Sequence, residues 1–302
     1  MRGKVTILGI GSATPSKERH HSAQYLVCQS THILLDCGEG TQERITDYGV
    51  KFQKITRIFI SHLHGDHYLG LMGLITSMNH NNRTKPLWIY APKGMEEIFK
   101  LHCKHAAISL NFELEFVTLH ANEKHDFEFE NLQVQAVPVH HRVPCFSFLF
   151  KEVHQERTLN LEACKQYNIP IHQYPDLKRG SEGTLQNGGL VANEVLTFDP
   201  PPPFSYAYVT DTRYAPEIAK AYKGFSVLYH EATFLHNLLD RAIETGHSTA
   251  KQAGMFAAQM GVKQLILGHF SSRYGDLSAH QIEASAEFSN TILAKEGMIF
   301  EF

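Results

Sequence analysis

The sequence has 302 residues, with 28 basic and 31 acidic side chains that give a formal net charge of −3. This balance excludes a wholly basic coat for nucleic acid, although a local basic patch stays compatible with it. Five cysteines without a C-x-x-C pair are typical of reduced thiols, no signal peptide precedes the first strand, and no apolar run is long enough to span a bilayer. We therefore expect a cytoplasmic protein that has no membrane partner.

The first predicted elements are strands and one helix. Residues 5–10 form a strand pattern that ends in a loop with two glycines and a proline. Segments 25–27 and 33–35 are predicted as paired strands, and residues 41–48 as a helix. Asp36 follows the third strand, where it either forms a turn or supports a site nearby.

A short apolar strand at residues 58–60 leads directly into a group of histidines and a carboxylate. His62, His64, Asp66 and His67 lie within six residues. Side chains alternate along an extended chain, so His62 and His64 point the same way. Neutral groups of this kind gain little from clustering and charged ones repel, whereas imidazole and carboxylate ligands suit zinc. The spacing therefore predicts a metal centre.

The next elements bring a second pair of histidines. A strand at 132–137 runs into His140 and His141. Adjacent residues of a strand face opposite sides, so only one of the two can join the metal centre, and the strand alone does not settle which one. The other elements predicted in this region are helices at 69–79 and from Pro92 through Lys104, and strands at 87–90, 113–118 and 125–130.

Residues 151–200 differ in composition from the rest of the chain. Prolines and glycines interrupt them throughout, and only a short helix at 160–167 is predicted. Their five basic and seven acidic residues give a net charge of −2, so electrostatic capture of phosphate depends on Lys178 and Arg179. A long insertion in a compact domain is usually functional.

Three later strands also lead into polar side chains. Asp211 could cap a helix that begins near residue 215, but two metals that share a site need an anionic bridge, which favours a ligand role. His247 precedes a helix that runs to Met260, with Ser248 as its predicted cap. The three strands lie at 206–209, 227–229 and 265–267 and lead to Asp211, Glu231 and His269.

Several separated strings resemble motifs of the tRNase Z (ribonuclease Z) family of the metallo-β-lactamase superfamily. They are S-H-L-H-G-D-H-Y-L-G-L from residue 61, H-R-V-P from residue 141, H-E-A-T from residue 230 and G-H-F-S-S-R-Y from residue 268. The resemblance implies an α/β (α+β) fold, a four-layer αββα metallo-β-lactamase sandwich formed by residues 1–302 as a single domain. It implies that residues 151–200 are an inserted arm, the candidate tRNA-binding exosite, and it favours His141 over His140 as the ligand.

The predicted site holds two zinc ions per subunit. Asp66 orients a water molecule and takes its proton, and His247 is the general acid, with Glu231 fixing its ring. The alternative for His247 is a residue at a helix N-terminus with only local contacts. The first ion takes His62, His64, His141 and Asp211, and the second takes Asp66, His67, His269 and Asp211. Six other histidines lack convergent partners and are predicted at the surface, namely His80, His102, His105, His125, His172 and His280.

The resemblance implies a zinc-dependent endoribonuclease that removes the 3′ trailer from precursor tRNA. It implies a 3′-hydroxyl on the tRNA, a 5′-phosphate on the trailer and a homodimer. One alternative is a binuclear zinc phosphodiesterase or hydrolase that acts on a small molecule, which the weakly basic residues 151–200 motivate. Another is a non-catalytic RNA-binding relative, against which the complete ligand set argues.

Overall fold

The computed structural model describes residues 3–129, 132–153, 156–200 and 202–301. The chain forms two compact units. The larger unit is built from the described residues of Met1–Phe127, Val134–Phe150 and Phe204–Phe302, and the smaller unit from those of Glu128–Gln133 and Lys151–Pro203.

The described residues form 18 strands and ten α-helices, in which runs of consecutive strands, such as the five between Leu114 and Leu159, are separated by helices. The strands are β1 (Gly3–Gly9), β2 (Ala23–Cys28), β3 (Thr31–Leu35), β4 (Arg57–Phe59), β5 (Leu87–Pro92), β6 (Leu114–Leu119), β7 (His125–Phe129), β8 (Leu132–Val139), β9 (Cys145–Glu152), β10 (Thr158–Leu159), β11 (Gly183–Thr184), β12 (Leu190–Val191), β13 (Thr197–Phe198), β14 (Ser205–Val209), β15 (Val227–Glu231), β16 (Gln264–Gly268), β17 (Thr291–Leu293) and β18 (Ile299–Glu301). The α-helices are α1 (Thr41–Asp47), α2 (Gly65–Tyr68), α3 (Gly70–His80), α4 (Met95–Ala106), α5 (Leu161–Gln166), α6 (Tyr174–Lys178), α7 (Asn193–Leu196), α8 (Leu239–Thr245), α9 (Ala250–Met260) and α10 (Ser278–Glu287). Short 3-10 helices occupy Phe52–Lys54, Ile171–Gln173, Pro216–Tyr222 and His236–Leu238.

The described residues contain two sheets of seven strands each, built mainly from the larger unit. The strand order is β18-β1-β2-β3-β4-β5-β6 in the first sheet and β17-β16-β15-β14-β9-β8-β7 in the second. Strands β3 to β6 are parallel, as are β14 to β17. Because the carboxyl ends of parallel strands meet at one edge of a sheet, the residues that follow these strands converge there.

Apolar side chains from the two sheets meet between them. The ring centroid of Phe59 on β4 lies 5.1 Å from that of Phe148 and 5.8 Å from that of Phe150, both on β9. All three rings are fully buried. Burial of such a side chain stabilises a fold by about 1.5–3 kcal/mol, so these contacts hold the sheets face to face.

Helices cover the outer faces of both sheets. The α3 residues Leu71, Leu74, Ile75 and Met78 recur at helical spacing and are fully buried in the core that includes the first sheet. Helix α9 packs on β15 and β16 of the second sheet. The order of layers is helix, sheet, sheet, helix, which confirms the predicted αββα sandwich.

The helix predicted from Pro92 begins later in the structure, at Met95. Strand β5 continues through Pro92, which pairs with Leu119 of β6. Gly94 then makes the turn into the helix with a φ of 108°, a conformation that favours glycine. The start of this helix is therefore set by strand pairing rather than by the proline.

The N-terminus of α9 also differs from the prediction. Its cap is Thr249 rather than Ser248, and Thr249 forms a capping box with Gln252. The hydroxyl of Ser248 instead donates to the backbone carbonyl of Thr212, 2.7 Å away. Two adjacent hydroxyl residues satisfy the simple sequence rule equally well, and a contact from a distant segment distinguishes them.

His280 is wrongly predicted at the surface, because its side chain is 0 % exposed. It lies on α10, where it and Ala284 form the inward face of the helix. The rings of Phe270 and Tyr274 pack edge-on against it at centroid distances of 5.3 and 4.7 Å. An imidazole tolerates either environment, so its polarity alone was a poor guide to burial.

The smaller unit has an apolar core of its own. Its regular structure includes helices α5, α6 and α7 and the two-stranded pairs β10-β13 and β11-β12. Some of the prolines and glycines lie in turns, but Pro175 lies in the first turn of α6 and Gly183 in β11. The short helix predicted at 160–167 is present as α5. The assignment of residues 151–200 as an inserted arm stays a prediction. Six buried residues form the core, namely Ala163, Cys164, Ile169, Leu177, Val191 and Leu196.

Across the described ranges, no helix has both the length and the apolar character that crossing a membrane requires.

Candidate metal centre

The candidate site lies where strands of both sheets end. The residue or residues directly after β3, β4, β14 and β16 carry its polar side chains, and α2 and the loop after β8 supply the rest. Within each sheet the parallel order brings the carboxyl ends to one edge, and the packing of the two sheets places those two edges together. The side chains brought there include Asp36, His62, His64, Asp66, His67, His141, Asp211 and His269.

One group of potential ligands consists of three histidines and an aspartate. The ligand atoms of His62, His64, His141 and Asp211 all lie within 4.8 Å of one another. Nδ1 of His64 is 2.9 Å from Nε2 of His62 and 3.2 Å from Nε2 of His141. The set is the one predicted for the first ion.

A second group contains Asp66, His67 and His269, again within 4.8 Å of one another. Nε2 of His67 lies 3.3 Å from Nε2 of His269 and 3.5 Å from Asp66 Oδ2. Asp66 Oδ2 also accepts a 2.7 Å hydrogen bond from the backbone N–H of Ala13. These three residues were predicted for the second ion.

Asp211 lies between the two groups. Its Oδ2 atom is 3.5 Å from His62 Nε2 and 3.7 Å from His141 Nε2. Its Oδ1 atom is 3.3 Å from His67 Nε2 and 3.0 Å from His269 Nε2. One carboxylate oxygen therefore faces each group, which is the arrangement that a bridging ligand needs.

Two imidazoles have an Nδ1 atom that points away from the ligand groups, and its hydrogen-bond partner fixes the tautomer of the ring. His67 Nδ1 lies 2.7 Å from Asp36 Oδ2, and His141 Nδ1 lies 2.7 Å from the carbonyl oxygen of Gly246. A carbonyl and an ionised carboxylate cannot donate, so each Nδ1 carries the proton. Each Nε2 then presents a lone pair to the group, as metal-binding histidines do.

His269 has the same tautomer. Its Nδ1 lies 2.9 Å from Thr233 Oγ1, whose single proton is donated to Glu231 Oε2. When both rings are neutral, the Nε2 lone pairs of His269 and His67 face each other at 3.3 Å. Lone pairs at that distance repel unless positive charge lies between them, and two aspartates add negative charge. The donor set fits a divalent cation.

The pKa shifts of the site residues in the metal-free protein also show that the site favours positive charge. Burial opposes protonation of His67, yet the surrounding carboxylates, with Asp211 first among them, raise its pKa well above the usual value. Burial also opposes charge on Asp211, yet the adjacent imidazoles lower the pKa of its carboxyl group well below the usual value. His62 behaves differently, because burial lowers its pKa well below the usual value.

Three residues of the site have a positive φ. Asp36 has a φ of 54° and His269 a φ of 56°, and Asp211 lies at the border of the left-handed region with a φ of 20°. For residues with a Cβ atom this conformation costs about 1–2 kcal/mol each. Such strain concentrates at functional sites, where the surrounding contacts hold it in place.

Glu231 and His247, predicted to act together, are in contact. His247 Nδ1 lies 3.0 Å from Glu231 Oε1, which also accepts a 2.7 Å hydrogen bond from the backbone N–H of Thr212. Burial opposes charge on His247, but Glu231 outweighs it and the pKa of His247 rises to about 9. His247 therefore has more than the local contacts of a helix terminus.

An open cavity of about 420 Å³ adjoins both groups. Asp66, His247 and His269 line it, as do Arg142 and the loop residue Ala13. The carboxylates of Glu39, Asp66 and Asp211 line the cavity too, so Arg142 alone does not make it favourable for an anionic substrate, and bound cations would have to supply the remaining positive charge.

His140, the alternative to His141, does not join either group. Its Nε2 atom instead lies 2.9 Å from Glu217 Oε1, and both side chains are exposed. Sequence reasoning gave no role to Thr233, although the hydroxyl stands in the quoted H-E-A-T string. Its position two residues after Glu231 could have indicated a role, because polar groups near a metal site often bind the ring nitrogen of a histidine that does not face the metal.

The fold and the site together define a metallo-β-lactamase-fold protein with a candidate metal centre. The short form of human tRNase Z is 25% identical, with a TM-score of 0.70 over 99% of this chain and 98% of that chain. The metallo-β-lactamase-fold protein YhfI of Bacillus subtilis is 17% identical, with a TM-score of 0.71 over all of both chains, and shows the fold.

Proteins similar in sequence identify the family more narrowly than the structural neighbours do. Ribonuclease Z of Bacteroides fragilis (strain ATCC 25285) is 41% identical over 97% of this chain and 96% of its own length. Ribonuclease Z of Porphyromonas gingivalis (strain W83) is 38% identical over 97% of both chains. The chain belongs to the ribonuclease Z family, which confirms the predicted family and the predicted class of enzyme.

A family model described as anti-Pycsar protein Apyc1 also matches, over residues 3–167. That range contains His62, His64, Asp66, His67 and His141 and ends before Asp211. The full site therefore lies only within the longer alignment to the ribonuclease Z relatives.

Proposed function

We propose that this protein is the zinc-dependent endoribonuclease that removes the 3′ trailer from precursor tRNA. The observation that carries the proposal is the alignment of 97% of the chain to proteins named ribonuclease Z. The convergence of seven His and Asp ligand candidates at one edge of the sheets supports a hydrolytic, metal-assisted reaction. The products are a tRNA with a 3′-hydroxyl and a trailer with a 5′-phosphate.

We propose two zinc ions per subunit, held by the two groups of side chains with Asp211 between them. His62, His64 and His141 complete the first group. Imidazole and carboxylate ligands without thiolate suit zinc. When bound, such ions lower the pKa of water and neutralise the charge that develops on phosphate oxygens.

Asp66 is proposed to orient the attacking water and to take its proton. Its Oδ2 atom is held by the Ala13 N–H at 2.7 Å and borders the cavity in which a phosphodiester would lie. A positioned carboxylate that accepts a proton in the transition state is a general base.

His247 is proposed to protonate the leaving 3′ oxygen of ribose. Its Nδ1–H group donates to Glu231, so the ring is oriented by a carboxylate that is itself fully buried. Glu231 is fixed in turn by the Thr212 N–H and the Thr233 hydroxyl. This chain of hydrogen bonds holds the acid beside the cavity.

The smaller unit motivates a second candidate function, hydrolysis of a small phosphodiester. Within residues 151–200, Arg157 pairs with Asp199, Arg179 with Asp176, and Lys178 with Glu156, the last at 3.6 Å. The net charge of this segment is −2, which weakens the case for phosphate capture by charge. The roles of these residues in tRNA binding, the homodimer and the cytoplasmic location stay predictions.

One experiment separates the two functions. The zinc-loaded protein is incubated with an end-labelled precursor tRNA and, in parallel, with bis(p-nitrophenyl) phosphate. A single cut at the 3′ end of the tRNA body, leaving a 3′-hydroxyl, is expected. Turnover of the small diester with an intact precursor tRNA would overturn the tRNA assignment and favour the second function.

A further inference from the structure

A fully buried carboxylate lies behind the candidate metal centre. Asp36 is 0 % exposed and follows β3 of the first sheet. Its Oδ1 atom accepts the backbone N–H of Ser61 at 2.7 Å, and its Oδ2 atom accepts the Ser61 hydroxyl at 2.9 Å and His67 Nδ1 at 2.7 Å. A buried negative charge is stable only when such donors surround it.

Asp36 orients two of the ligand histidines. It holds His67 directly, and it holds His62 through Ser61, whose hydroxyl oxygen lies 3.1 Å from His62 Nδ1. Because the Ser61 proton goes to Asp36, this oxygen accepts the His62 proton. Both imidazoles are thereby kept in the tautomer that turns Nε2 toward the metal centre.

A fourth donor to Asp36 comes from the other sheet. The hydroxyl of Tyr208 on β14 donates to Asp36 Oδ2 at 2.7 Å. Tyr208 is 1 % exposed and its ring stacks on Tyr229 at a centroid distance of 5.2 Å. Asp211, the residue between the two ligand groups, follows Tyr208 by three positions, just beyond the same strand.

We propose that the Tyr208 hydroxyl is a positioning group for the metal centre, which it serves by holding the carboxylate that orients His67 and, through Ser61, His62. The bond joins the strand that leads to Asp211 to the residue that follows β3, and Asp36 in turn binds Ser61 and His67. It sets the separation of ligands that come from different sheets. The proposal rests on the metal centre proposed above.

The strained backbone of Asp36 is an independent reason to expect this role. Asp36 has a φ of 54°, and this strain is compensated by its backbone N–H, which donates to the Phe59 carbonyl at 2.8 Å, together with the contacts to its side chain. Loss of the Tyr208 hydroxyl removes one of four hydrogen bonds and leaves the carboxylate less well solvated in the core. The rings of His67 and His62 then adopt more orientations in the metal-free protein. Metal binding has to fix those orientations, which lowers the affinity for the metal.

The same strand supplies a matched control. Tyr206 is two residues before Tyr208, so its side chain lies on the same face of β14, and it is 0 % exposed. Its hydroxyl donates to Gln24 Oε1, whereas the hydroxyl of Tyr208 donates to the carboxylate that orients His67. Tyr206→Phe and Tyr208→Phe thus remove the same atom from the same buried surface.

The test measures zinc affinity by competition with a chromophoric chelator and measures thermal unfolding of the metal-free variants. We expect Tyr208→Phe to weaken zinc binding about threefold to tenfold, less than the roughly 10–100-fold typical of partners that touch a ligand directly. Tyr206→Phe should leave the zinc affinity unchanged although it lowers the unfolding temperature by a similar amount. Equal zinc affinities for the two variants would overturn the proposal.

A second measurement on the unaltered protein does not depend on the folding of a variant. Nitrogen-15 NMR of the zinc-loaded protein should show His67 and His62 with a proton on Nδ1. A proton missing from Nδ1 of His67 would overturn the proposed chain of hydrogen bonds. If the unaltered protein binds no zinc, the metal centre itself is wrong, and neither result bears on whether precursor tRNA is cleaved.

Discussion

Oδ1 of Asp211 lies 3.0 Å from Nε2 of His269, two residues that follow different strands of the second sheet. The other oxygen of the same carboxylate faces His62 of the first sheet at 3.5 Å. One short side chain thus connects ligand candidates from both sheets, and its removal should affect both groups.

The variant Asp211→Asn keeps the shape of this side chain and removes its charge. We expect the zinc content to fall below two per subunit, and activity to fall by more than the roughly 10–100-fold that loss of an outer partner costs. Zinc is measured by elemental analysis and activity by cleavage of precursor tRNA. Asp276→Asn, at an acidic residue outside the site, is the control. Full zinc content in Asp211→Asn would contradict a bridging role.

The two adjacent histidines offer a sharper comparison. His141→Ala should lower zinc affinity strongly, because His141 Nε2 lies 3.2 Å from His64 Nδ1 within the first group. His140→Ala removes an exposed side chain whose partner is Glu217, and it should change affinity by less than about twofold. Calorimetric zinc titration of both variants checks this. Equal losses would mean that the choice of ligand is wrong.

The variant His247→Gln tests the proposed general acid. We expect kcat for precursor tRNA to fall about 10²–10⁴-fold, the usual contribution of a positioned acid, while zinc content stays unchanged. Bis(p-nitrophenyl) phosphate should be affected far less, since p-nitrophenolate leaves without a proton. Steady-state kinetics on both substrates measure the difference. Equal losses on the two substrates would argue for a role in binding instead.

His280 leads to a prediction about pH and stability. Burial, with a contribution from Arg19, lowers the pKa of His280 to about 4. The folded protein therefore keeps His280 neutral while the unfolded chain takes up a proton near its ordinary pKa of about 6.5. The unfolded state binds more protons between these values, so this contribution to stability is complete above pH 6.5. It is lost as pH falls toward 4, by up to about 3 kcal/mol.

The variant His280→Phe should remove that part of the acid sensitivity. Urea unfolding of the metal-free protein at pH 7 and pH 4.5 measures the free energy of unfolding for both proteins. His102→Phe, at an exposed histidine, is the control and should behave like the unaltered protein. The same loss of stability in His280→Phe and in the unaltered protein between the two pH values would refute the assignment.

The sequence by itself determined the elements of the site that depend on local spacing. His62, His64, Asp66 and His67 lie so close in the chain that a strand end and a sharp turn suffice to bring them together. The apolar stretches that precede Asp211 and His269 placed these residues at strand ends. Parallel order brings the strand ends of each sheet to one edge, and the two edges meet at the site.

Tertiary structure decided the choices that local spacing leaves open. Between His140 and His141, the position of the strand relative to its neighbours determines that His141 joins the group of candidate ligands, and the carbonyl of Gly246 accepts its Nδ1 proton from 105 residues away. The burial of His280 depends on which face of α10 meets the sheet.

The residues that orient the candidate ligands, such as Asp36 and Tyr208, also could not be paired from local sequence patterns. Asp36 and Tyr208 are 172 residues apart and meet only because the two sheets pack face to face. A hydrogen bond acts over about 3 Å, so its existence depends on the relative position of whole layers. The sequence encodes that position through the sum of many apolar contacts, which no short motif displays.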